Sequence, residues 1–104
     1  MAATAVGPVQ GIAPGLPGGV SAWLSVSAAQ VIKADPGVLV QVLCTTAGTA
    51  IAFNDATTVG GANAANQIWA GALSAGQVLV LNWPCGTGIV LSAITSATLS
   101  IAYS

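Results

Sequence analysis

Short runs of apolar and β-branched residues, separated by turn-forming residues at close spacing, make up most of the chain. The central run, residues 35–46 with the sequence DPGVLVQVLCTT, begins with a Pro-Gly turn and continues as a strand from Val38 to Thr46. In a strand, even and odd positions face opposite sides of the sheet, and both sets are mainly apolar here. This run is therefore predicted to be a central strand covered on both faces, by its sandwich partner and by a second surface.

Seven further strands are predicted from the alternation of apolar and polar residues and from the turn residues between them. The sequence has no stretch of sustained helical periodicity with helix caps. Eight short strands indicate an all-β fold, a small antiparallel β-sandwich of the jelly-roll-like type. The predicted strands are residues 20–26, 29–33, 38–46, 49–54, 66–70, 77–82, 87–92 and 97–103. Their predicted inward-facing side chains include Ile51, Phe53, Ile89, Leu91, Leu99, Ile101 and Tyr103.

The first nineteen residues, MAATAVGPVQGIAPGLPGG, contain three prolines and five glycines. Proline removes a ladder donor and glycine disfavours regular structure, so residues 1–19 are predicted to be an extended arm and residues 20–104 a β-sandwich domain. The apolar arm residues Val9, Ile12 and Leu16 are predicted to dock on a neighbouring subunit. The alternative is an arm folded back on its own domain.

Charged side chains make up only 3% of the sequence, against about 25% in ordinary soluble proteins. The three are Lys33, Asp35 and Asp55, and the mean hydropathy is +0.88. Soluble monomers rarely expose large contiguous apolar patches, so much of the surface is predicted to be buried against other chains in a homo-oligomer. The alternative is a monomer coated in Ser, Thr, Asn and Gly.

The low charge also argues against two classes of partner. A single basic side chain is too few to neutralise nucleic-acid phosphates, and it gives no electrostatic attraction to anionic membranes. No apolar run reaches the roughly 18 residues of a membrane-spanning helix. The N-terminus lacks the basic start and continuous apolar core of a signal peptide, so the chain is expected to stay in the compartment where it is made.

Catalysis is not expected, because the sequence lacks the usual acid–base and metal-binding groups. It contains no histidine, and Asp35 and Asp55 both lie at predicted turns. The glycines at 60–61 and 86–88 are not followed by a helix start, as a phosphate-binding loop requires. We therefore expect no enzyme activity, no cofactor and no metal site.

Cys44 and Cys85 allow at most one disulfide within the chain. Cys44 lies in the predicted central strand, where a free cysteine behaves as a small apolar residue, and no export signal indicates an oxidising compartment. Two free thiols are favoured over a disulfide.

Three tryptophans stand out in a chain with one Tyr and one Phe. Trp69 is predicted to fill the core. Trp23 and Trp83 are candidate interface anchors, since Trp is enriched at interface centres, although Trp23 also fits a simple edge contact. Stacking of a sugar on an exposed Trp is an alternative role. The long polar loop at residues 54–67 is a further functional candidate because of its length.

Three segments of the sequence resemble a class of small structural proteins of tailed-phage virions. They are VIKADPGVLVQVLCTTAGTAIAFND (31–55), LSAGQVLVLNWPCGTGIVLS (73–92) and ATLSIAYS (97–104). The shared features are a strand entry at Ile32-Lys33, a hairpin at residues 45–49, a loop start at Phe53-Asn54 and an Asn-x-Pro segment ending at Pro84. The resemblance covers roughly residues 30–104 and leaves out the arm, the tryptophans and the cysteines.

The resemblance implies a virion component, a capsid decoration or cement protein on the capsid surface that is made in the host bacterial cytoplasm. Its implied partners are the major capsid protein and copies of itself, with a trimer favoured, and the expected contacts are Val9, Ile12, Leu16, Trp23 and Trp83. Three alternatives remain open. One is a receptor-binding or spike component whose 54–67 loop binds host glycan, and another is a head–tail or tail structural component. The third is a non-viral self-assembling coat.

Overall fold

The computed structural model describes residues 20–104, which form an all-β sandwich of two four-stranded antiparallel sheets. All eight strands predicted from the sequence are present. Their bounds are β1 Ser21–Val26, β2 Gln30–Lys33, β3 Gly37–Thr46, β4 Gly48–Asn54, β5 Gln67–Leu73, β6 Val78–Cys85, β7 Ile89–Thr95 and β8 Thr98–Tyr103. The predicted arm, residues 1–19, lies outside the described residues.

Strand pairing follows a nested pattern. The first sheet, here called sheet A, has the order β1-β8-β3-β6, and the second, sheet B, has the order β2-β7-β4-β5. The first strand therefore pairs with the last, the second with the second-last, and so on inward: β1 with β8, β2 with β7, β3 with β6 and β4 with β5. One long hairpin of eight strands has thus wrapped into two layers, and this confirms the jelly-roll-like sandwich.

The core lies between the two sheets and is built from the side chains that alternate inward on each strand. Phe53 and Ile51 of β4 are fully buried opposite the sheet A residues Leu99 and Ile101 of β8, as their positions in the sequence predicted. Tyr103 is only partly buried and packs against the edge of this core.

The alternation along β3 differs from the prediction at one point. β3 lies between β8 and β6, so it is a central strand as predicted. A bulge between Leu39 and Gln41 shifts the register, and as a result Leu39, Val42 and Cys44 are all fully buried although they have mixed parity. The predicted separation of even and odd positions onto opposite faces is therefore wrong for β3.

β6 is longer than predicted, because it continues through Trp83 and Pro84 to Cys85 where the sequence indicated a break. Proline is tolerated here because its partner Val38 directs both of its backbone groups away from β6. The Val38 N–H donates to Ser104 O at 3.0 Å, and the Ser104 N–H donates to Val38 O at 2.9 Å. No ladder bond is lost at Pro84, as is usual for proline in an edge strand.

β1 also departs from its predicted pattern. Strict alternation along residues 20–26 places Leu24 on the same side of the strand as Val26, but Leu24 is 74% exposed while Val26 is buried. The register shifts between Trp23 and Val26, and Ser25 takes a left-handed conformation with φ 55°. This irregularity turns Trp23 toward the core side, opposite the buried Ile101, and leaves Leu24 in solvent.

Candidate functional site

Sheet A contains no charged side chain. Its strands have the sequences SAWLSV in β1, TLSIAY in β8, GVLVQVLCTT in β3 and VLVLNWPC in β6. The charged residues lie elsewhere: Lys33 ends β2 in sheet B, Asp35 is in the β2–β3 turn, and Asp55 directly follows β4. Sheets that face water normally carry charged side chains on their exposed positions and edges. Sheet A is therefore the first candidate for an interaction surface.

The outer faces of the two sheets differ in how they are covered. On sheet B, residues 55–66 fold back over the sheet, and Val90 is fully buried although both of its neighbours in β7 point into the core. Within residues 20–104, no comparable segment covers the outer face of sheet A, where Gln41 and Leu43 of the central strand are exposed. Among the described residues, one face of the sandwich is thus covered by the chain itself and the other is open.

Three apolar side chains form a contiguous group on the open face. Leu43 of β3 is the direct cross-strand partner of Val78 in β6, and Gln41 is the partner of Val80. Leu43 is 36% exposed, Val78 50% and Val80 62%. We call Leu43, Val78 and Val80 the outer patch. The sequence analysis did not name these residues. The VLVL sequence of β6 is apolar at both even and odd positions, which is the signal that could have indicated an outward-facing apolar set.

The hydrogen bonds between β3 and β6 show which backbone groups of β6 are already used. The Cys44 N–H donates to Gln77 O at 2.9 Å, and the Gly76 N–H donates to Cys44 O at 2.7 Å. Because bonding directions alternate along an antiparallel ladder, Val42 also directs its N–H and C=O toward β6, where its partner is Leu79.

It follows that Val78 and Val80 direct their N–H and C=O groups the other way, toward the outside of the sheet. β6 is the last strand of sheet A, so no described strand lies beside it there. The outer patch therefore adjoins a row of backbone donors and acceptors that the strands of residues 20–104 do not use.

The other edge strands carry features that discourage pairing with a further strand. β2 has only four residues and ends at Lys33. β1 is distorted by the left-handed Ser25, and the exposed middle of β5 presents only the small residues 70–72. Short length, charge and bulges are the usual protections of an edge strand. β6 has eight residues and no charged side chain, and no residue of Val78–Leu81 has a left-handed conformation.

The two tryptophans predicted as interface anchors lie at opposite edges of sheet A. Trp23 in β1 is 40% exposed, and its indole N–H donates to Ile32 O at 3.0 Å, which ties sheet A to sheet B. Trp83 in β6 is 52% exposed beside the free edge. Trp69 packs partly buried against the core, as predicted. The other predicted contacts, Val9, Ile12 and Leu16, lie outside the described residues.

The 54–67 loop is fixed by one buried amide. The side chain of Asn54, 2% exposed, donates to Asn63 O at 2.9 Å and to Asn66 Oδ1 at 2.7 Å. Its own Oδ1 accepts from the Ser92 hydroxyl at 2.6 Å. The loop also contains two short 3₁₀ turns, Val59–Gly61 and Ala64–Asn66, although a pair of glycines such as Gly60-Gly61 disfavours regular structure.

An open concavity of about 430 Å³ lies between this loop and the outer face of sheet B. Its polar lining comes from Asn54, Asn63, Gln67 and Ser92, and its remaining walls are Val59 and alanines. Asn54 and Ser92 are engaged in the network that holds the loop, and no aromatic ring lines the space. The concavity can admit a small polar group, but it lacks the stacking surface typical of sugar sites.

Asp55 holds the turn between β6 and β7. Its carboxylate accepts from the backbone N–H groups of Gly86 at 2.9 Å, Thr87 at 2.8 Å and Gly88 at 3.1 Å. Desolvation acts to raise the pKa of Asp55, but the three hydrogen bonds outweigh it, and the pKa lies below its ordinary value. The carboxylate is therefore a structural clamp for this turn.

Cys44 and Cys85 are both buried free thiols, which agrees with the favoured prediction. Cys85 pairs with Gly37 at one end of β3, whereas Cys44 lies seven residues further along that strand. This separation is about 20 Å, far beyond the roughly 7 Å that a disulfide permits. Burial, together with the nearby Asp55 charge, raises the pKa of the Cys85 thiol, so it is a poor nucleophile at neutral pH.

Two further features are absent from residues 20–104. No three His, Cys, Asp or Glu side chains in this part of the chain come together as a metal-binding group. None of its helices has the length and apolar character needed to cross a membrane.

Comparison with known proteins adds no relative. No protein-family model matches the chain, and no curated protein or solved structure matches it significantly. The resemblance to small virion proteins therefore remains a prediction from the sequence.

Proposed function

We propose that this protein is a non-enzymatic virion structural protein, a capsid decoration protein that binds the outside of a phage head and stabilises the shell. One observation carries the proposal: sheet A has no charged side chain, and its outer face exposes the outer patch beside a free strand edge. Such a surface suits permanent burial against protein better than exposure to water.

The mechanism that fits this surface is apolar burial. Burying apolar surface contributes about 25 cal/mol per Å², and a stable interface buries roughly 800 Å² on each partner. A decoration protein that contacts several shell subunits with this face would link them to one another. Because sheet A carries no charge, its binding should depend little on salt concentration.

The identity of the particle, the partner and the oligomeric state in this proposal rest on the sequence resemblance. The resemblance over residues 30–104 supports the phage virion, the major capsid protein as partner, and a location on the capsid surface after synthesis in the bacterial cytoplasm. It also supports a homo-oligomer, with a trimer expected. The arm residues Val9, Ile12 and Leu16 are proposed as additional contacts with a neighbouring subunit.

The test uses phage shells that lack this protein and measures its binding by co-sedimentation. The Val78→Lys variant places a charge in the outer patch and should lose binding. The Thr57→Lys control adds the same charge on the exposed loop over sheet B and should bind like the unmodified chain. Equal binding by the two variants would overturn the role of sheet A.

The arm is tested separately with a chain that lacks residues 1–19. This truncated protein should keep the folded sandwich and fail to bind shells. Unimpaired binding would remove the arm from the proposal while leaving the sheet A surface in place.

The alternative function is a receptor-binding, spike or tail component in which the 54–67 loop binds host glycan. The open concavity between this loop and sheet B is the observation in its favour. Glycan binding that is lost in an Asn63→Ala variant, together with normal shell binding by Val78→Lys, would favour this alternative over decoration.

A further inference from the structure

We propose that β6 pairs antiparallel with β6 of a second copy of this chain, about a two-fold axis at Leu79, to give one continuous eight-stranded sheet. This pairing is a self-association contact of the homo-oligomer proposed above, and the inference rests on that proposed function. The occupant of the free edge is thus a second copy, and the contact is self-complementary.

The backbone geometry fixes the partners. Val78 and Val80 direct their N–H and C=O groups outward, whereas Leu79 between them is bonded toward Val42. A two-fold axis at Leu79 places Val78 of one copy opposite Val80 of the other, and the reverse. Residues opposite each other in such positions exchange two N–H···O bonds, so both valines of each copy are satisfied.

Neighbouring registers are excluded toward the start of β6. A two-fold axis at Val78 would pair Val78 with its own copy but place Val80 opposite Gly76, whose N–H is already used within the sheet. An axis at Gln77 would require the Gly76 N–H, which already donates to Cys44 O at 2.7 Å.

The register is also limited toward the end of the strand. An axis at Val80 would place Val78 opposite Asn82, and an axis at Leu81 would place Val80 opposite it. Asn82 has a left-handed conformation, φ 47°, which turns the backbone out of the ladder. Beyond it, Pro84 has no N–H to donate. Pairing about Leu79 is therefore the register that uses regular strand on both copies.

The side chains support the same arrangement. Opposed residues point to the same face, so the exposed Val78 and Val80 of the two copies meet on the outer face and enlarge the outer patch. On the inner face, Leu79 is partly buried against the core. It would contact Leu79 of the second copy where the gap between the two sheets opens beside β6.

Charge and area favour a second copy over a charged partner. β6 has no charged side chain, so two copies do not repel each other at this edge. The exposed parts of the outer patch and Trp83 amount to roughly 400 Å², about half of what each partner buries in a standard interface. The paired backbone and the flanking side chains of β6 supply further area.

The contact also constrains the larger assembly. A two-fold contact joins two copies and closes, so it cannot by itself generate a trimer. In an assembly of trimers, β6 pairing would connect chains of adjacent trimers.

The first test is sedimentation equilibrium of the full chain over a range of concentrations. We expect a species of about twice the 10.0 kDa chain mass, or an even-numbered multiple of it. Val80→Lys should shift this association to at least tenfold higher concentration. Leu24→Lys is the matched control, because it makes the same kind of change at the opposite edge of sheet A, and it should associate normally.

The second test examines the register and does not depend on the lysine variants. Leu79→Cys should form a disulfide-linked dimer under mild oxidation. The two copies of residue 79 face each other across the axis as a non-hydrogen-bonded pair, whose Cα atoms lie about 4.5 Å apart, within the range that a disulfide permits. Leu24→Cys, although more exposed, should not. The buried Cys44 and Cys85 should leave the unmodified chain uncross-linked.

Three results would overturn the pairing: a protein that forms no even-numbered species at any concentration, even-numbered association that survives Val80→Lys, or cross-linking of Leu24→Cys but not of Leu79→Cys. None of them decides shell binding, which is measured on particles. Failure of β6 pairing and failure of the proposed function are therefore distinguishable.

Discussion

Leu43 in β3 and Val78 in β6 face each other directly across the sheet A ladder, and both side chains point to solvent. An apolar cross-strand pair of this kind stabilises a sheet by about 0.2–1 kcal/mol. Half of Val78 and about a third of Leu43 nevertheless remain in contact with water. The apolar area that folding leaves exposed here is available for binding, and this connects the fold to an assembly role.

Of the two edge tryptophans, Trp23 should contribute mainly to the stability of the fold and Trp83 mainly to self-association. Trp23→Phe removes the indole hydrogen bond to Ile32 O and should lower the free energy of unfolding by about 1 kcal/mol. Trp83→Ala, at a half-exposed position, should change stability by less than about 0.5 kcal/mol but weaken self-association. Urea unfolding and sedimentation of the two variants check this. The reverse assignment of the two effects would contradict it.

The Asp55 clamp predicts a loss of stability in acid. Its pKa is lowered on folding from an ordinary value of 3.8, so its contribution is present above that pH and is lost as pH falls through the lower folded pKa. Asp55→Asn should lower the free energy of unfolding at pH 7 by about 1 kcal/mol, since the bonds are solvent-exposed, and should flatten the profile below about pH 4.

The control for Asp55 is Asp35→Asn in the exposed β2–β3 turn. It should leave stability at pH 7 unchanged within about 0.5 kcal/mol. Urea unfolding of all three proteins between about pH 7 and pH 2 makes the comparison. An Asp55→Asn variant with the same acid profile as the unmodified chain would show that the carboxylate does not hold the turn.

Much of the fold was predictable because the strands are short and bounded by clear turn residues. Alternation identified Ile51, Phe53, Leu99 and Ile101 as core residues, and all four are fully buried. The bulges were not predictable, because four residues that are not glycine, Ser25, Ala50, Asn82 and Ser96, adopt left-handed conformations in or beside the strands. Each bulge changes which side chains face out, and this is why Leu24 and the parity of β3 were misassigned.

The candidate surface was predictable only in part. The low charge indicated an assembly surface, but the sequence could not show which strands carry it. The position of β6 at the edge of sheet A depends on long-range pairing with β3, and its free edge depends on the hydrogen bonds of Cys44. Tryptophan enrichment at interfaces led to Trp23, whose indole is instead used between the two sheets.

Gly88 should tolerate no side chain, because the chain approaches it closely. A Cβ there would clash with Ala56 O and would lie 2.8 Å from Lys33 O. Both are backbone atoms, so relieving the clash would require the main chain to shift. Gly88→Ala should destabilise the protein by about 2–4 kcal/mol. At Gly86, two residues away, the nearest atom is Asp55 Oδ2 at 3.8 Å, so Gly86→Ala should be close to neutral. Thermal unfolding of both variants tests this, and similar unfolding temperatures would contradict it.

Asn54 should be the main determinant of loop order. Asn54→Ala removes three hydrogen bonds from a buried network, to Asn63 O, Asn66 Oδ1 and the Ser92 hydroxyl, and should lower the free energy of unfolding by about 2–3 kcal/mol. Gln67→Ala, at an exposed position lining the same concavity, is the control and should be nearly neutral. Hydrogen exchange of residues 55–66 should accelerate in the first variant only. Unchanged exchange in Asn54→Ala would show that the loop is held by other contacts.

The central claim is that this chain decorates a shell, and the number of copies per major shell subunit in purified native particles tests it most directly. Quantitative mass spectrometry gives this ratio. The account predicts roughly one copy per shell subunit, as for a protein that covers the lattice through its uncharged sheet. A ratio of a few copies per particle, as for a spike or tail ring, or absence from the particles would contradict it.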